Sequence, residues 1–230
     1  DNVFQLKNAK DSQIKYLARS EFDKLKNTII NAGVNVFNFD DDSDFDTPDA
    51  VFPNNWISFH RLNKAILYPM YVPNRRYERK SSVLKKLSNS GLDIKIIQDY
   101  STFENENKFL EGTGSVVLDR KSKIAYCSIS NRSNIEIFKI LSKDICYRPV
   151  LFESIYMNKP IYHTNVMMSI CNNFALICLD VVNSNIERNI IIKNLDDSGL
   201  KIINISVDQM SSFLGNCIQL TNSELSPILV

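Results

Sequence analysis

Residues 109–118 read FLEGTGSVVL, a segment in which a carboxylate and two glycines stand at the start of an otherwise apolar run. Three other segments have the same arrangement: FPNNWISF at 52–59, IYHTNVMMSI at 161–170 and FLGNCIQL at 213–220. Successive segments begin 57, 52 and 52 residues apart. A period of this size is typical of a supersecondary unit that is repeated along the chain.

Helical and strand-like patterns surround these segments in a constant order. Apolar residues at helical spacing predict helices within 12–33, 76–89, 134–141 and 186–195. The predicted strands, in chain order, are VNVFNF, WISF, AILYPM, DIKII, SVVLD, KIAYCSI, RPVLF, HTNVMMSI, FALICLDVV, LKIINIS, GNCIQL and PILV. The chain therefore holds nearly four copies of a unit made of one helix and three strands.

Units this short cannot bury their own apolar faces. Three-stranded mixed sheets with one helix each would close radially around an axis, whereas a doubly wound parallel sheet needs a crossover helix for every strand. We therefore expect one α/β domain over residues 1–230, and we expect it to be a fragment that lacks an initial strand and a fifth unit. Radial closure would gather the recurring polar side chains at one end of the axis: Asn54, Asn55, Glu111, His163 and Asn165.

Composition narrows the range of partners. The chain has 27 Lys and Arg against 26 Asp and Glu. It therefore lacks the excess of positive charge that nucleic-acid-binding proteins use to attract phosphates. No apolar run approaches the roughly 20 residues that a membrane span needs, and the first residues do not resemble a signal peptide. These features favour a soluble cytoplasmic protein with a small-molecule partner, and they leave homo-oligomer formation open.

The five cysteines lack the spacing of metal ligands or of a CxxC motif. Three of them, Cys127, Cys171 and Cys178, fall in strand-like runs, which favours buried free thiols in a reducing compartment. Met167 and Met168 are predicted to pack in a strand. The acidic run at 40–46 lacks the spacing of a calcium loop and is predicted to be a solvated loop without a site.

The segments PDAVFPNNW, FLEGTGSVVLD and YHTNVMMS together resemble the guanidino-group modifying superfamily, the penteins. This superfamily includes arginine deiminases, dimethylarginine dimethylaminohydrolases and amidinotransferases. The chain is most similar to the arginine-deiminase-related branch of citrulline-utilisation hydrolases, over essentially all 230 residues. The resemblance implies a five-bladed α/β propeller with a cysteine, a histidine and acidic residues on its axis, and it requires neither metal nor organic cofactor.

Two catalytic residues are implied by this resemblance. Glu111 matches the acidic residue before the glycine turn of the second unit, and His163 matches the catalytic histidine of the third. Chemistry agrees, because an imidazole can exchange protons near neutral pH and a carboxylate can hold N–H groups. Taken without the resemblance, His163 is equally compatible with a histidine bonded to a backbone carbonyl. Glu111 could be a solvated glutamate in a surface turn, but the apolar residues that flank it favour a buried position.

Four further residues are candidates for substrate binding: Asp49, Asn54, Asn55 and Asn165. Asn55 and Asn165 stand where many relatives have aspartates, so the chain departs there from the acidic pattern that grips a guanidinium. Amides match the carbonyl and N–H groups of a neutral ureido substrate, which favours a citrulline-like molecule over arginine or methylarginine. An asparagine pair before a strand is also common turn chemistry.

The superfamily's nucleophilic cysteine occurs in a glycine-rich loop of the fifth unit, so we expect it beyond Val230 and do not assign Cys217 to this role. In PNRRYERK, the arginines Arg75, Arg76 and Arg79 could contact a substrate carboxylate, but a solvent-facing helix start is favoured. His60 is interpreted as a strand-end residue.

These observations predict a hydrolase that acts on C–N bonds of a guanidino or ureido amino acid through a covalent cysteine intermediate. Two alternatives stay open. One is a binding protein with the same architecture but no catalytic activity, and the other is an amidinotransferase, in which an amine takes the place of water.

Overall fold

The computed structural model describes residues 11–41 and 45–230. Residues 42–44 of the predicted acidic loop lie outside this description. The chain divides into a larger compact unit, Phe39–Asn216, and a smaller one formed by residues up to Asn38 and by Cys217–Val230.

The described elements follow the order of the predicted ones. The helices are α1 (Asp11–Asn31), α2 (Ser81–Asn89), α3 (Gly112–Ser115), α4 (Ile135–Asp144), α5 (Asn185–Asp197) and α6 (Val207–Ser211). The strands are β1 (Ile57–His60), β2 (Lys64–Leu67), β3 (Lys95–Asp99), β4 (Val116–Asp119), β5 (Ile124–Ser128), β6 (Arg148–Phe152), β7 (Ile155–Tyr156), β8 (Lys159–Pro160), β9 (Met168–Ile170), β10 (Phe174–Ile177), β11 (Lys201–Asn204), β12 (Gln219–Thr221) and β13 (Pro227–Leu229).

Three sheets of the larger unit share one topology: β1-β2-β3, β4-β5-β6 and β9-β10-β11. In each sheet the middle strand pairs antiparallel with the strand before it and parallel with the strand after it. A helix, α2, α4 or α5, connects the two parallel strands. The predicted content of the unit, one helix and three mixed strands, is confirmed for these three repeats, but its grouping is not: the strand after each helix completes the sheet of the two strands before that helix and does not begin the next sheet.

Three of the four recurring polar segments form one helical turn just before the first strand of a three-stranded sheet, whereas the fourth, at 213–220, leads into the hairpin strand β12 without a helical turn. These turns are Pro53–Asn55, Gly112–Ser115 and Thr164–Val166. The turn ends where the apolar run begins, because the apolar residues enter the strand and are buried there. The same local structure thus places polar side chains at the same edge of each repeat.

Neighbouring repeats share one core. A cluster of buried side chains takes Ile66 from β2, Ala125 and Cys127 from β5, and Phe138 and Leu141 from α4. Burying one large aliphatic or aromatic side chain contributes about 1.5–3 kcal/mol, and this cluster combines side chains of two repeats. Packing between repeats therefore stabilises the sheets and holds their polar edges in register.

Local signals set the helix ends as predicted. Gly33 and Gly91 follow α1 and α2 with φ angles of 84° and 87°, which other residues rarely adopt. The side chain of Asn134 caps α4 by accepting hydrogen bonds from the backbone N–H groups of Glu136 and Ile137.

Some predicted elements differ from the structure. Of the predicted strands HTNVMMSI and FALICLDVV, only Met168–Ile170 and Phe174–Ile177 form strands, and each run also contains a 3₁₀ turn. The run VNVFNF is not a strand, because it makes no ladder with the described strands. The helix expected over 76–89 is divided into a 3₁₀ turn, Pro73–Glu78, and α2. The break falls at Arg79, whose φ of −72° and ψ of 83° are not helical and whose guanidinium forms an ion pair with Glu104.

The smaller unit contains α1 and the hairpin β12-β13, which matches the predicted strands GNCIQL and PILV. Within this unit the Ser223 N–H donates to the carbonyl of Gly33. No helix within the described ranges is long and apolar enough to cross a bilayer.

The cysteines and methionines lie as predicted. Cys127, Cys171 and Cys178 are buried, and none of the five cysteines forms a disulfide. Met167 and Met168 are fully buried. Among residues 11–41 and 45–230, no group of histidine, cysteine and acidic side chains has the arrangement of a metal site.

Candidate active site

Glu111 and His163 meet in the interior of the larger unit although 52 residues separate them in the chain. Glu111 precedes α3, and His163 precedes the turn Thr164–Val166. The distance between Glu111 Oε2 and His163 Nε2 is 2.7 Å, and the two residues are 0% and 5% exposed. The equivalent edges of two repeats therefore bring a carboxylate and an imidazole into direct contact.

Glu111 accepts from several donors. The Tyr71 N–H lies 3.0 Å from Oε1, and Arg132 Nη1 lies 3.2 Å from Oε2. Burial alone would raise the pKa of Glu111, but the hydrogen bond from His163, the charge of Arg132 and the hydrogen bond from the Tyr71 N–H lower that pKa to about 2. The carboxylate is therefore an anion throughout the neutral range.

Burial lowers the pKa of His163, and the guanidinium charges of Arg132 and Arg75 lower it further, while Glu111 acts in the opposite direction. A carboxylate only accepts, so the contact assigns the proton of the neutral imidazole to Nε2. Nδ1 is then left as an acceptor. It is the atom of this pair that is able to take up or deliver a proton.

Two glycines make the close approach possible. A Cβ on Gly112, whose φ is 46°, would lie 2.2 Å from the carbonyl oxygen of Asn54. A Cβ on Gly114 would lie 2.5 Å from Asn55 Nδ2 and 2.9 Å from His163 Nδ1. The turns of three repeats therefore pack so closely that only glycine, which has no Cβ, fits at these two positions.

Asn55 is buried and its amide has a defined orientation. Its Oδ1 accepts from Arg75 Nη1 at 2.8 Å, so its Nδ2 is the end that faces Gly114. Arg75 in turn donates from Nε and Nη2 to the two oxygens of Glu78, at 2.8 and 3.0 Å. The amide thus presents N–H donors, not an acceptor, toward the histidine.

The prediction that Arg75 faces solvent is wrong, because this residue is only 2% exposed. Its guanidinium is surrounded by the hydrogen-bond acceptors named above. The Arg–Glu spacing of three residues in PNRRYE was the available signal for such a pair. Arg76 and Arg79 are half-buried and pair with Glu104, so they are not free surface charges either.

The other predicted site residues lie nearby with weaker contacts. Asp49 is half-buried; its carbonyl accepts from Arg75 Nη2 at 3.3 Å. The carbonyl of Asn54 accepts a long bond of 3.4 Å from Thr113 Oγ1. Asn165 follows His163 in the same turn, is half-buried, and makes no side-chain hydrogen bond to the residues described.

Arg132 was not predicted from the sequence. Its guanidinium contacts Glu111 and lies 5.8 Å from the ring centre of Tyr71 and 5.2 Å from that of Tyr162. A cation between two aromatic faces is held in place by both. The spacing of the repeats does not reveal it, because Arg132 comes after β5 and outside the recurring segments.

The raised pKa values of three cysteines favour the thiol form over the thiolate. Burial raises the pKa of Cys127 to about 12, and it also raises the pKa of Cys178 and of Cys217. A catalytic cysteine needs the opposite shift, toward the thiolate. These three side chains therefore lack the environment of an activated nucleophile.

The lowered pKa values of Glu111 and His163 predict that acid destabilises the folded state. The lowered pKa of Glu111 stabilises the folded state fully above its usual value of 4.5, and this stabilisation is lost as pH falls toward 2. His163, whose pKa is lowered from 6.5, adds stability above that pH that is lost on acidification. We expect denaturant midpoints to fall from pH 7 to 3.

The control for this measurement is a pair of glutamine variants. Glu111→Gln should be less stable than wild type at pH 7 and lose little more below pH 4.5, whereas Glu106→Gln, at an exposed position, should follow wild type. An acid slope in Glu111→Gln as steep as in wild type would show that other carboxylates cause it.

Comparisons with known proteins agree with the fold. The family model for N,N dimethylarginine dimethylhydrolase, eukaryotic, matches residues 1–230. No curated protein sequence gives a significant match.

Among solved structures, unliganded AgrE has a TM-score of 0.72 at 16% identity, covering 98% of this chain and 32% of AgrE. ArgZ, an arginine dihydrolase from the ornithine-ammonia cycle in cyanobacteria, has a TM-score of 0.68 at 16% identity, covering 90% of this chain and 30% of ArgZ. Its N-terminal domain, bound to substrate, has a TM-score of 0.66 at 16% identity, with 90% and 73% covered.

The chain thus spans less than a third of the length of full-length ArgZ and AgrE. At 16% identity these likenesses show a shared mixed α/β fold. Together with the family match, they confirm the resemblance to the guanidino-group modifying superfamily.

Proposed function

The chain belongs to the eukaryotic N,N dimethylarginine dimethylhydrolase family, and from this membership we propose that the protein hydrolyses a C–N bond of a guanidino or ureido amino acid. We further propose that its repeats are blades of a five-bladed propeller, as in the superfamily it resembles. The observation that carries the proposal is the buried contact of 2.7 Å between Glu111 and His163.

The roles of these two residues follow from their protonation. The anionic carboxylate of Glu111 fixes the imidazole and offers charge to substrate N–H groups. The Nδ1 atom of His163 transfers the proton, since Nε2 is occupied by Glu111. Nδ1 first takes the proton of the thiol, the thiolate adds to the central carbon, and the C–N bond breaks as the amine leaves with that proton. Nδ1 then takes a proton from water, whose oxygen adds to the same carbon, and the C–S bond breaks as the departing thiolate takes this proton back.

We do not assign this thiolate to any of the five cysteines of the chain. The superfamily places it in a glycine-rich loop of a fifth repeat, and the raised pKa values of Cys127 and Cys217 agree with excluding these two. Asp49, Asn54, Asn55 and Asn165 are proposed to line the substrate site.

The orientation of Asn55 supports a ureido substrate. Because Arg75 occupies Oδ1, the amide offers N–H donors, which match the carbonyl oxygen of a citrulline-like molecule. A guanidinium has only donors and would find no acceptor there. We therefore propose citrulline-like substrates ahead of arginine and methylated arginines, although the family is named for a methylated arginine.

A substrate panel tests the function. The full-length protein is given citrulline, arginine, dimethylarginine and agmatine, and release of ammonia or amine is followed. We expect kcat/KM for citrulline to exceed that for arginine by about tenfold or more, as one well-placed hydrogen bond allows.

The result can contradict the proposal in two ways. A preference for arginine or dimethylarginine would overturn the substrate class while keeping the reaction. Binding of these molecules without any release of ammonia or amine would overturn the enzyme and favour a binding protein.

A further inference from the structure

The backbone of residues 68–71 runs beside Glu111 and is held at almost every polar group. The Tyr71 N–H donates to Glu111 Oε1 at 3.0 Å, and the carbonyl of Pro69 accepts from the Leu110 N–H at 3.3 Å. The segment therefore forms one wall of the carboxylate's site. Its position decides whether the Tyr71 N–H reaches Glu111.

Glu104 binds the same segment at the neighbouring residue. Its Oε1 accepts from the Met70 N–H at 2.7 Å, one residue before the donor to Glu111. Both oxygens of Glu104 also accept from Arg79, Oε1 from Nη1 at 2.6 Å and Oε2 from Nη2 at 3.0 Å. A bidentate pair of this kind has a fixed geometry.

The arginines of PNRRYERK complete the arrangement. Arg79 Nη1 also donates to the carbonyl of Tyr68 at 3.2 Å, and Arg76 Nε donates to the carbonyl of Met70 at 3.2 Å. The side chains of Glu104 and Arg79 are only 10% and 16% exposed. Water is therefore a poor substitute for these contacts, and the pair restrains the segment.

We infer that Glu104 and Arg79 are positioning residues that hold the Tyr71 N–H against the Glu111 carboxylate. This inference rests on the proposed function, because it gives the two residues a part in the reaction. Neither touches the reacting groups; they act through the peptide between Met70 and Tyr71.

Glu104 can affect Glu111 because the two carboxylates bind neighbouring N–H groups of the same segment. The Met70 N–H is bound by Glu104 and the next N–H, of Tyr71, by Glu111, so two separate carboxylates fix adjacent N–H groups of one segment. If Glu104 is replaced by glutamine, one acceptor oxygen becomes an NH2 donor, so the side chain can no longer accept from the Met70 N–H and from both nitrogens of the Arg79 guanidinium together. The segment then moves, and Glu111 loses a donor without any change in its own side chain.

The test compares two glutamine variants in the same 3₁₀ turn, Ser101–Glu106. Glu104→Gln removes the charge that holds Met70, and Glu106→Gln is the matched control at a residue whose side chain is 56% exposed and pairs with Lys108. Hydrogen exchange of the Tyr71 amide, measured by NMR, reports on the position of this N–H independently of activity. Steady-state kinetics on the substrate found by the panel then give kcat and KM.

We expect the Tyr71 amide to exchange about tenfold faster in Glu104→Gln, the effect of one lost hydrogen bond. We also expect kcat to fall about tenfold or more with KM changed less than about twofold, because the change affects orientation of the catalytic carboxylate. Glu106→Gln should leave all three quantities unchanged. Arg79→Lys, which keeps the charge and loses the second hydrogen bond, should shift them in the same direction by less.

Unchanged exchange at Tyr71 in a folded Glu104→Gln variant would overturn the inference, and so would faster exchange with an unchanged kcat. If the wild-type protein hydrolyses none of the substrates in the panel, the proposed function is wrong, and so is the statement that Glu104 and Arg79 contribute to catalysis. The exchange result then decides the remaining statement, that Glu104 holds Tyr71.

Discussion

Replacing His163 with alanine is expected to lower kcat about 10²- to 10⁴-fold, the usual contribution of a positioned proton-transfer group. The imidazole is the proposed proton carrier, and its Nδ1 lies at the point where the turns of three repeats meet. Glu111 keeps its bonds from Tyr71 and Arg132 in this variant, so the site should stay assembled. The measurement is steady-state kinetics on the preferred substrate of the full-length protein.

The chain supplies its own control for this experiment. Its other histidine, His60, is a strand-end residue as predicted, lying at the end of β1 and hydrogen-bonded to Ser58 Oγ at 2.8 Å. Burial and the charge of Arg120 lower the pKa of His60 to about 4, so it is neutral at pH 7. His60→Ala should keep kcat within a few-fold of wild type. Wild-type rates in His163→Ala would remove this residue from the mechanism.

The largest loss of stability is expected for Arg75→Ala. Arg75 is buried and neutralises the buried carboxylate of Glu78, lies 3.8 Å from Glu111 Oε2, and donates to the amide of Asn55. Removing one partner of a buried ion pair leaves the other charge without compensation, which costs about 3–5 kcal/mol. Chemical denaturation at pH 7 measures the change in the free energy of unfolding.

The matched control is Lys193→Ala, which breaks an exposed ion pair with Asp197 on α5. Exposed pairs contribute little, so its denaturation midpoint should stay close to that of wild type. If Arg75→Ala were no less stable than this control, the buried cluster of Arg75, Glu78 and Asn55 would not contribute to the free energy of unfolding.

The repeat and its polar edge could be predicted from the sequence because both are local patterns. The recurring segments place Glu111 and His163 at equivalent positions, and the glycines at 112 and 114 indicated a turn that needs close approach. Helix ends at Gly33 and Gly91 follow from the same kind of local signal. The structure adds the distance and the burial that turn these positions into a pair.

The residues that the sequence did not reveal act through distant partners. Arg132 reaches Glu111 from a loop after β5, and the Tyr71 contact uses a backbone N–H, which every residue but proline has. Arg75 was misjudged because a basic run looks solvent-facing until its acceptors are known. In each case the deciding fact is which remote group lies beside the side chain, and spacing along the chain does not contain it.

The central claim is that Glu111 and His163 act as one unit in the reaction. A double-mutant cycle on kcat/KM with Glu111→Gln, His163→Ala and both together tests it most directly. Groups that act together lose their effect together, so we expect the double variant to be no slower than the slower single variant within a few-fold. Two losses that multiply in full in the double variant would contradict the claim, since the two side chains would then contribute independently.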